Sequence, residues 1–294
     1  MTRRERRPRL MVLSHRSRYG EAMSANALEV RLREGRERID LARYTETLTQ
    51  VQRALNDIDH VLTQRKTVRP AWIVQDLGHD EQELVVRLSA RETPRRDHAS
   101  LLASIDALVS GVEQLQETPE VPQYYTATTV ERLLRIGKPG NGVQEVSLAT
   151  VNDTAGPHFP VSEPVREHAR LAMTGTQVSL GSVAGWIDQM SVRRLNKGVS
   201  SVSLFDPLTR RAVLGRLPAE MQAVVESMWR RRVLARGTVW RNDHGQVVKI
   251  DIEHLEPLPE ESAAPASVAE LLGIAPDWLG DQSVDDYIRE ARRA

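Results

Sequence analysis

The chain contains no cysteine, which excludes disulfides, thiolate metal sites and cysteine nucleophiles. Aromatic residues make up only 4% of its 294 residues, and the two Phe are outnumbered by five Trp. The hydrophobic cores must therefore be built mainly from Val, Leu, Ile and Ala. A protein without cysteine fits a reducing compartment, and we predict a cytoplasmic location.

Long apolar runs are also missing. No run approaches the roughly 20 residues that a helix needs to cross a bilayer. The arginine-rich start lacks the apolar core of a signal peptide. We therefore expect no membrane partner. An apolar fraction of 40% over this length leaves room for two domains with cores of their own.

Motifs for catalysis or cofactor binding are absent too. The glycines at 137–142 are not followed by a helix that would direct its dipole at a phosphate, so we interpret them as a tight turn. The eight His are scattered, and no two of them stand at metal-ligand spacing. We predict a protein that is not an enzyme and that has no cofactor and no metal. A deep pocket lined by His158, His168 and carboxylates would favour an enzyme with an unrecognised site.

The net charge is zero, but the charges are unevenly distributed. Residues 1–22 hold seven Arg against two Glu, and residues 177–256 hold twelve cations against eight acids. The tail from residue 257 holds three Arg against eight acids. Such a tail would cover a basic region in cis or meet a basic partner in trans, and plain solvation of polar faces is an equally good explanation.

Residues 1–22 are predicted to be a disordered basic arm, because the arginine-rich start cannot bury apolar surface. One interpretation is an arm that reaches a nucleic-acid backbone. The other is an upstream extension of the reading frame, with the orderly chain beginning at Met23.

Residues 23–176 are predicted to form a mixed α+β domain. Apolar periodicity predicts strands at 28–32, 71–77, 83–88 and 143–151, and helices at 41–63, 97–116, 129–137 and 162–172. The prolines in 117–125 extend the chain, and we interpret that stretch as a linker or domain edge. Residues 152–160 have the composition of a loop.

For residues 177–256 the sequence pattern predicts three strands, one helix and two more strands. The strands are expected at 177–192, 199–205, 211–214, 233–240 and 246–255, with a helix opened by Pro218. In the first strand Val178, Leu180 and Val183 are assigned to the apolar side, and Gly181 and Gly185 allow the sharp bend of a small barrel.

This stretch resembles the OB-fold superfamily of nucleic-acid-binding modules. The resemblance is carried by GSVAGWIDQMSV, VSSVSLFDPLTRRAVLG and RRVLARGTVWRNDHGQVVKIDIEHLEPL. It implies binding at the face of strands two and three, framed by two loops. The implied nucleic-acid-binding residues are Arg193, Arg194 and Lys197 in the first loop, Arg241 and His244 in the second, and Trp240 as a stacking platform. Trp186 is assigned to the core.

For the remaining chain we predict a linker at 257–266 and a helical docking tail at 267–294. The tail, LLGIAPDWLGDQSVDDYIREARRA, resembles the C-terminal tails of antitoxins that wrap PIN-type ribonuclease toxins. That resemblance implies a toxin-like nuclease as partner. The implied partner-binding residues are Leu271, Leu272, Trp278, Tyr287, Ile288, Arg289 and Arg292.

We therefore predict an α+β protein in which an N-terminal mixed α/β domain is followed by an OB-like five-stranded β-barrel and a short helical tail. The predicted function is that of a non-enzymatic, antitoxin-like or adaptor protein whose tail docks on a partner and whose barrel contacts nucleic acid or protein. The alternative is a single-stranded nucleic-acid-binding protein that is autoregulated by its acidic tail. A second alternative is an enzyme with an unrecognised site.

Overall fold

A computed structural model of the chain describes residues 27–63, 68–91, 98–152, 156–192 and 199–259. Three predicted segments lie wholly or mostly outside the described residues: the arm at 1–22, the linker at 257–266 and the docking tail at 267–294. The described chain is a mixed α+β protein with five α-helices and two five-stranded sheets. None of its helices is long and apolar enough to cross a membrane.

The described chain divides into two compact units. The first contains the described residues up to Gln177, together with Thr209–Ala212 and Arg241–Val248. The second contains Val178–Leu208, Val213–Trp240 and the described residues from Lys249 onward.

The first unit is built on an antiparallel sheet with the strand order β2-β3-β1-β4-β5. Its strands are β1 Ala27–Glu34, β2 Trp72–Asp80, β3 Glu83–Ala90, β4 Val143–Val151 and β5 Phe159–Pro160. Along the central strand Leu28, Val30 and Leu32 are fully buried. The intervening Glu29, Arg31 and Arg33 point to the other face, as the period of two in a strand requires.

Four helices accompany this sheet. They are α1 Leu41–Leu62, α2 His98–Glu117, α3 Ala127–Ile136 and α4 Glu163–Ala172. Helix α1 packs on α2 and α3, and α2 packs on α4. The prediction of these helices and of β1 to β4 is confirmed to within a few residues at each end. Strand β5 was missed, because two residues are too few to produce a periodic signal.

Residues 117–125 were interpreted as a linker or domain edge, and the structure shows that they are not a free linker. Val121 is 5% exposed and Tyr125 is fully buried. The Tyr125 hydroxyl donates a hydrogen bond to the Leu108 carbonyl of α2 at 2.6 Å, and burial raises the pKa of that phenol. The prolines do extend the chain here, but the extended segment is packed into the first unit.

The second unit contains most of a closed barrel with the strand order β10-β8-β7-β6-β9, whose strand ends at Gln177, Arg211–Ala212, Arg241 and Val247–Val248 fall in the first unit. Its strands are β6 Gln177–Val192, β7 Val199–Asp206, β8 Arg211–Pro218, β9 Arg232–Arg241 and β10 Val247–Pro257. Between β8 and β9 the chain makes a short 3-10 turn, Ala219–Met221, and the helix α5, Gln222–Ser227. Strands β8 and β10 run parallel. All five predicted strands and the helix are present.

One detail of β6 was predicted wrongly. Val178 and Leu180 are 59% and 81% exposed, whereas Val183 and Ile187 are buried. Even and odd positions of a strand face opposite sides, so residues 178 and 180 cannot share the apolar side of residue 183. A Cβ on Gly185 would lie 2.8 Å from the Phe205 carbonyl oxygen, so this position requires glycine for a close approach of the two strands. The predicted bend at Gly181 and Gly185 stays a prediction.

Candidate functional site

The residues predicted to bind nucleic acid are only partly described. Arg193, Arg194 and Lys197 lie outside the described residues. So do all the residues predicted to bind a partner, namely Leu271, Leu272, Trp278, Tyr287, Ile288, Arg289 and Arg292. Trp240 belongs to the second unit, and Arg241 and His244 belong to the first.

Trp240 is half-buried on the outside of the barrel, and one face of its ring is covered. The Lys249 ammonium lies 3.6 Å from the ring centroid, the geometry of a cation–π contact. The same ammonium is 3.2 Å from Asp251 Oδ1. Trp240 therefore has at most one ring face open to a base.

Trp186 occupies a different position from the one predicted. In the β6–β7 ladder it stands opposite Phe205, and Ile187 stands opposite Leu204. Ile187 and Leu204 fill the interior, so Trp186 is on the opposite face together with Phe205, which is itself only 5% exposed. Its side chain is half-buried. Alternation with the neighbouring apolar Ile187 would have found this orientation, but an isolated Trp was assigned to the core.

The outer face continues across β7 with small polar side chains. Ser203 stands opposite Gln189, and Ser201 stands two pairs further along the ladder, opposite Ser191. Gln189 is exposed, and both serines are half-buried. The Ser203 hydroxyl oxygen is buried and has no hydrogen-bond partner among the described residues.

Strand β8 extends this face toward β10. Leu214 pairs with Lys249, and the exposed Arg216 pairs with Asp251. The interior partner between them is Gly215, where a Cβ would lie 2.7 Å from a Val202 methyl. Across β6, β7 and β8 this face thus carries the indole of Trp186, the hydroxyls of Ser201 and Ser203, and the guanidinium of Arg216. We refer to Trp186, Gln189, Ser201, Ser203 and Arg216 as the serine face.

The hairpin between β9 and β10 is organised around a buried Asn242. Its Nδ2 donates to the carbonyl of Ala172, the last residue of α4, and to Gln246 Oε1, each at 3.0 Å. Its Oδ1 accepts from the backbone N–H groups of His244 and Gln246. Gln246 Oε1 in turn accepts from the Val121 N–H at 2.8 Å. This network ties the hairpin into the first unit.

Arg241 and His244 have partners in the same network. Arg241 Nη1 donates to the Gly245 carbonyl at 3.0 Å, which closes its own hairpin. His244 Nδ1 lies 3.5 Å from Glu120 Oε1. Both side chains therefore have structural roles, and their binding of nucleic acid stays a prediction.

A cavity of about 460 Å³ lies beside α2 in the first unit. Its lining includes Asp106, Ser110 and Gln114 on one side of the helix, and Tyr124 and Arg211 opposite them. Tyr124 and Arg210 have the left-handed backbone φ values of 64° and 55°. The Tyr124 N–H donates to the Arg210 carbonyl at 2.7 Å. Neither His158 nor His168 lines this cavity, so it is not the pocket that would favour an enzyme.

A charged cluster lies on the polar face of the first sheet. Glu29 is fully buried, and its two carboxylate oxygens accept from Arg31 Nε and Arg87 Nε, each at 2.7 Å. Burial opposes ionisation, but the hydrogen bonds and charges of Arg87 and Arg31 hold the pKa of Glu29 below its usual value. His158 Nε2 lies 3.3 Å from Glu29 Oε1. Burial, followed by the charge of Arg31, lowers the pKa of His158.

His168 lies elsewhere, with Nδ1 2.9 Å from the Leu115 carbonyl oxygen. In the described part of the chain, no group of three or more His, Asp or Glu side chains is placed to hold a metal ion.

Comparison with models of protein families, with curated proteins and with solved structures finds no match to this chain. The case for a function therefore rests on the geometry of the barrel and of the first unit.

Proposed function

We propose that this chain is a non-enzymatic binding protein whose barrel is an OB-fold that binds single-stranded nucleic acid on the serine face. The observation that carries the proposal is the strand order. Strands β9, β6, β7 and β8 are neighbours in that order, which is the 4-1-2-3 arrangement of a Greek key. Strand β10 closes the barrel, and a five-stranded Greek-key barrel is the architecture of an OB-fold.

The position of the serine face supports the proposal. OB-folds bind oligonucleotides at the face of their second and third strands, and the serine face spans β6, β7 and β8. Trp186 provides a π-face, and a base that stacks on such a side chain contributes roughly 1 to 3 kcal/mol. Ser201 and Ser203 are small enough for a strand of nucleotides to approach the sheet.

Charge supports a polyanionic guest. The barrel segment has twelve Lys and Arg against eight Asp and Glu. Three of those cations, Arg193, Arg194 and Lys197, fall between β6 and β7 in the sequence. The exposed Arg216 stands on β8. Cations along one rim of a binding face neutralise phosphates, and this makes affinity depend on salt.

Fluorescence anisotropy with a labelled single-stranded oligonucleotide of about 20 nucleotides tests the proposal. We expect Trp186→Ala to weaken binding about 5- to 150-fold, since stacking is worth roughly 1 to 3 kcal/mol. Trp186→Phe keeps a ring and is expected to stay close to the parent protein. Equal affinities for the parent and Trp186→Ala, or the same affinity for duplex and single strand, would refute the proposal.

The predicted docking of the tail on a toxin-like nuclease concerns residues 267–294, which lie outside the described residues. No observation on the described chain favours that partner over the nucleic acid. Partner binding by the tail stays a prediction. Co-purification of a second protein with the parent chain, and its loss when residues 257–294 are deleted, would support it.

A further inference from the structure

The cavity beside α2 has the size and the mixed lining of a site for a small organic ligand. Its volume of about 460 Å³ lies in the range of such sites, roughly 300 to 1,000 Å³. Asp106, Ser110 and Gln114 line it from α2, and Tyr124 and Arg211 line it from the facing segments. All of these residues belong to the first unit, and none of them is part of the serine face.

The α2 wall is low and firmly backed between its polar side chains. The small residues Ala103, Ala107 and Gly111 line the cavity there. Behind Gly111 lies the buried ring of Tyr125, whose hydroxyl donates to the Leu108 carbonyl at 2.6 Å. Small side chains on a rigid backing leave room for a flat ligand to lie against the helix.

Tyr124 has a backbone conformation that tyrosine rarely adopts. The Tyr125 N–H donates to the Pro122 carbonyl at 3.3 Å, and within this turn Tyr124 has a φ of 64°. A positive φ at the third position of a turn is characteristic of type II turns and favours glycine or asparagine. Strained positions of this kind cluster at ligand sites. The ring that Tyr124 presents to the cavity is therefore a candidate stacking platform for a ligand.

Two arginines next to Tyr124 supply positive charge. The Tyr124 N–H donates to the Arg210 carbonyl at 2.7 Å, and the Arg210 guanidinium carbon lies 5.8 Å from the centroid of the Tyr124 ring. Arg211 Nε donates to the Val121 carbonyl at 3.1 Å, which fixes the guanidinium in the wall. Its Nη2 lies 3.7 Å from Glu120 Oε2, too far for a hydrogen bond. The Nη groups of Arg211 thus retain N–H donors for an anionic group of a ligand.

The α2 wall provides the complementary acceptors. Asp106 is exposed, and its Oδ1 accepts from the Thr150 hydroxyl at 3.2 Å, which leaves Oδ2 for a ligand. Gln114, about 12 Å further along the helix, adds an amide that both donates and accepts. A carboxylate suits the edge of guanine, because N1–H and the N2 amino group are adjacent donors. The corresponding edge of adenine presents the N1 acceptor, which a carboxylate repels.

We propose that the cavity beside α2 binds a guanine mononucleotide. The base stacks on Tyr124, its N1–H and N2 amino group donate to Asp106, and its phosphate accepts from Arg211. Stacking on an aromatic ring and hydrogen bonds to the Watson–Crick edge are the general means by which proteins hold a single base. This site does not rest on the function proposed for the barrel.

Isothermal titration calorimetry of the whole chain with guanosine monophosphate tests the proposal. We expect Asp106→Asn to weaken binding about tenfold or more, because the charged acceptor of two donors is lost. Glu113→Gln is the matched control, since it removes the same charge from an exposed position of α2 that does not line the cavity. It is expected to bind as the parent does. Adenosine monophosphate is expected to bind about tenfold or more weakly than guanosine monophosphate.

A second variant tests the stacking platform. Tyr124→Asn places a residue that tolerates the left-handed conformation at this position, so the fold is expected to be kept while binding weakens about 5- to 150-fold. A thermal midpoint at or above that of the parent checks the fold. Tyr124→Phe restores the ring and is expected to restore binding.

Three results would overturn the proposal. They are the absence of binding at millimolar guanosine monophosphate, equal affinities for the guanine and adenine nucleotides, and equal affinities of Asp106→Asn and Glu113→Gln. A saturating single-stranded oligonucleotide is expected to leave the affinity for guanosine monophosphate unchanged. Competition between the two ligands would assign the nucleotide to the barrel and would also overturn the proposal, so its failure is distinguishable from failure of the function proposed for the barrel.

Discussion

The Lys249 ammonium lies 3.6 Å from the centroid of the Trp240 ring, so that β9 and β10 are joined on the outside of the barrel by a cation–π contact. We expect a double-mutant cycle of Trp240→Leu and Lys249→Met to give a coupling free energy of about 0.5 to 1 kcal/mol in favour of the parent pair. Urea unfolding measures it. Substituting Arg236, which pairs with Glu256 instead, provides a control cycle with no coupling to Trp240. A Trp240–Lys249 coupling of zero would contradict this assignment.

Asn242 is the centre of the hairpin network, with four hydrogen bonds around one buried amide. We expect Asn242→Ala to lower the free energy of unfolding by about 2 to 4 kcal/mol, because buried donors and acceptors lose their partners. Asn242→Asp is expected to be similarly destabilising, since a carboxylate cannot donate to the Ala172 carbonyl. His244→Ala, at a side chain that is 38% exposed and 3.5 Å from Glu120, serves as the control and should cost no more than about 1 kcal/mol. Parent-like stability of Asn242→Asp would show that the amide donors are dispensable.

Gly111 leaves space for the buried ring of Tyr125. A Cβ at position 111 would lie 2.4 Å from Tyr125 Cζ. We expect Gly111→Ala to destabilise the first unit by about 1 to 3 kcal/mol through overpacking. Gly78→Ala has nothing within 4 Å of the new methyl and is expected to be nearly neutral. Chemical denaturation measures the free energy of unfolding of both variants. Equal values for Gly111→Ala and Gly78→Ala would contradict the packing of Tyr125 against Gly111.

The Glu29 cluster makes stability depend on pH. The pKa of His158 is lowered in the folded protein, so its contribution to stability is present above the ordinary value of 6.5 and is lost as pH falls below it. The pKa of Glu29 is also lowered, so its contribution is lost at still lower pH, below the ordinary value of 4.5.

The variant His158→Gln should therefore lose less stability than the parent when the pH is lowered from about 7.5 to about 5.5. The thermal midpoint measured across that range checks this expectation. The matched control is His254→Gln, whose side chain is exposed on β10. Parallel profiles for the parent and His158→Gln would contradict the role given to His158.

The sequence was sufficient for the five helices and for every strand except β5, because their apolar periods are local. It was insufficient for residues 117–125. Pro119 and Pro122 are strong local signals for an extended chain, but the partners that bury it come from far away, and Val121 bonds to the side chain of Gln246. A contact between residues so distant in sequence leaves no trace in local composition. Similarly, the side chain of His244 was predicted to bind a phosphate because its partner Glu120 is distant in sequence and is brought close only by the fold.

Trp186 illustrates a different limit. A large aromatic residue in a strand rich in Val and Ile was assigned to the core by hydrophobicity, although strict alternation places it opposite to Ile187. The register of β6 with β7 determines on which face of the strand Trp186 lies. The bulge between Ile187 and Gln189 shifts that register midway along the strand. For Trp186, hydrophobicity thus favoured the core, whereas alternation with Ile187 favoured the opposite face of the strand.

The measurement that tests the account most directly is hydrogen exchange of the whole chain with and without a single-stranded oligonucleotide. We expect the ligand to slow exchange in β7 and β8, Val199–Asp206 and Arg211–Pro218, and to leave α3, Ala127–Ile136, unchanged. We also expect the protection to disappear as salt is raised, because phosphate contacts release counterions. Absence of protection in β7 and β8 at saturating oligonucleotide would contradict the account.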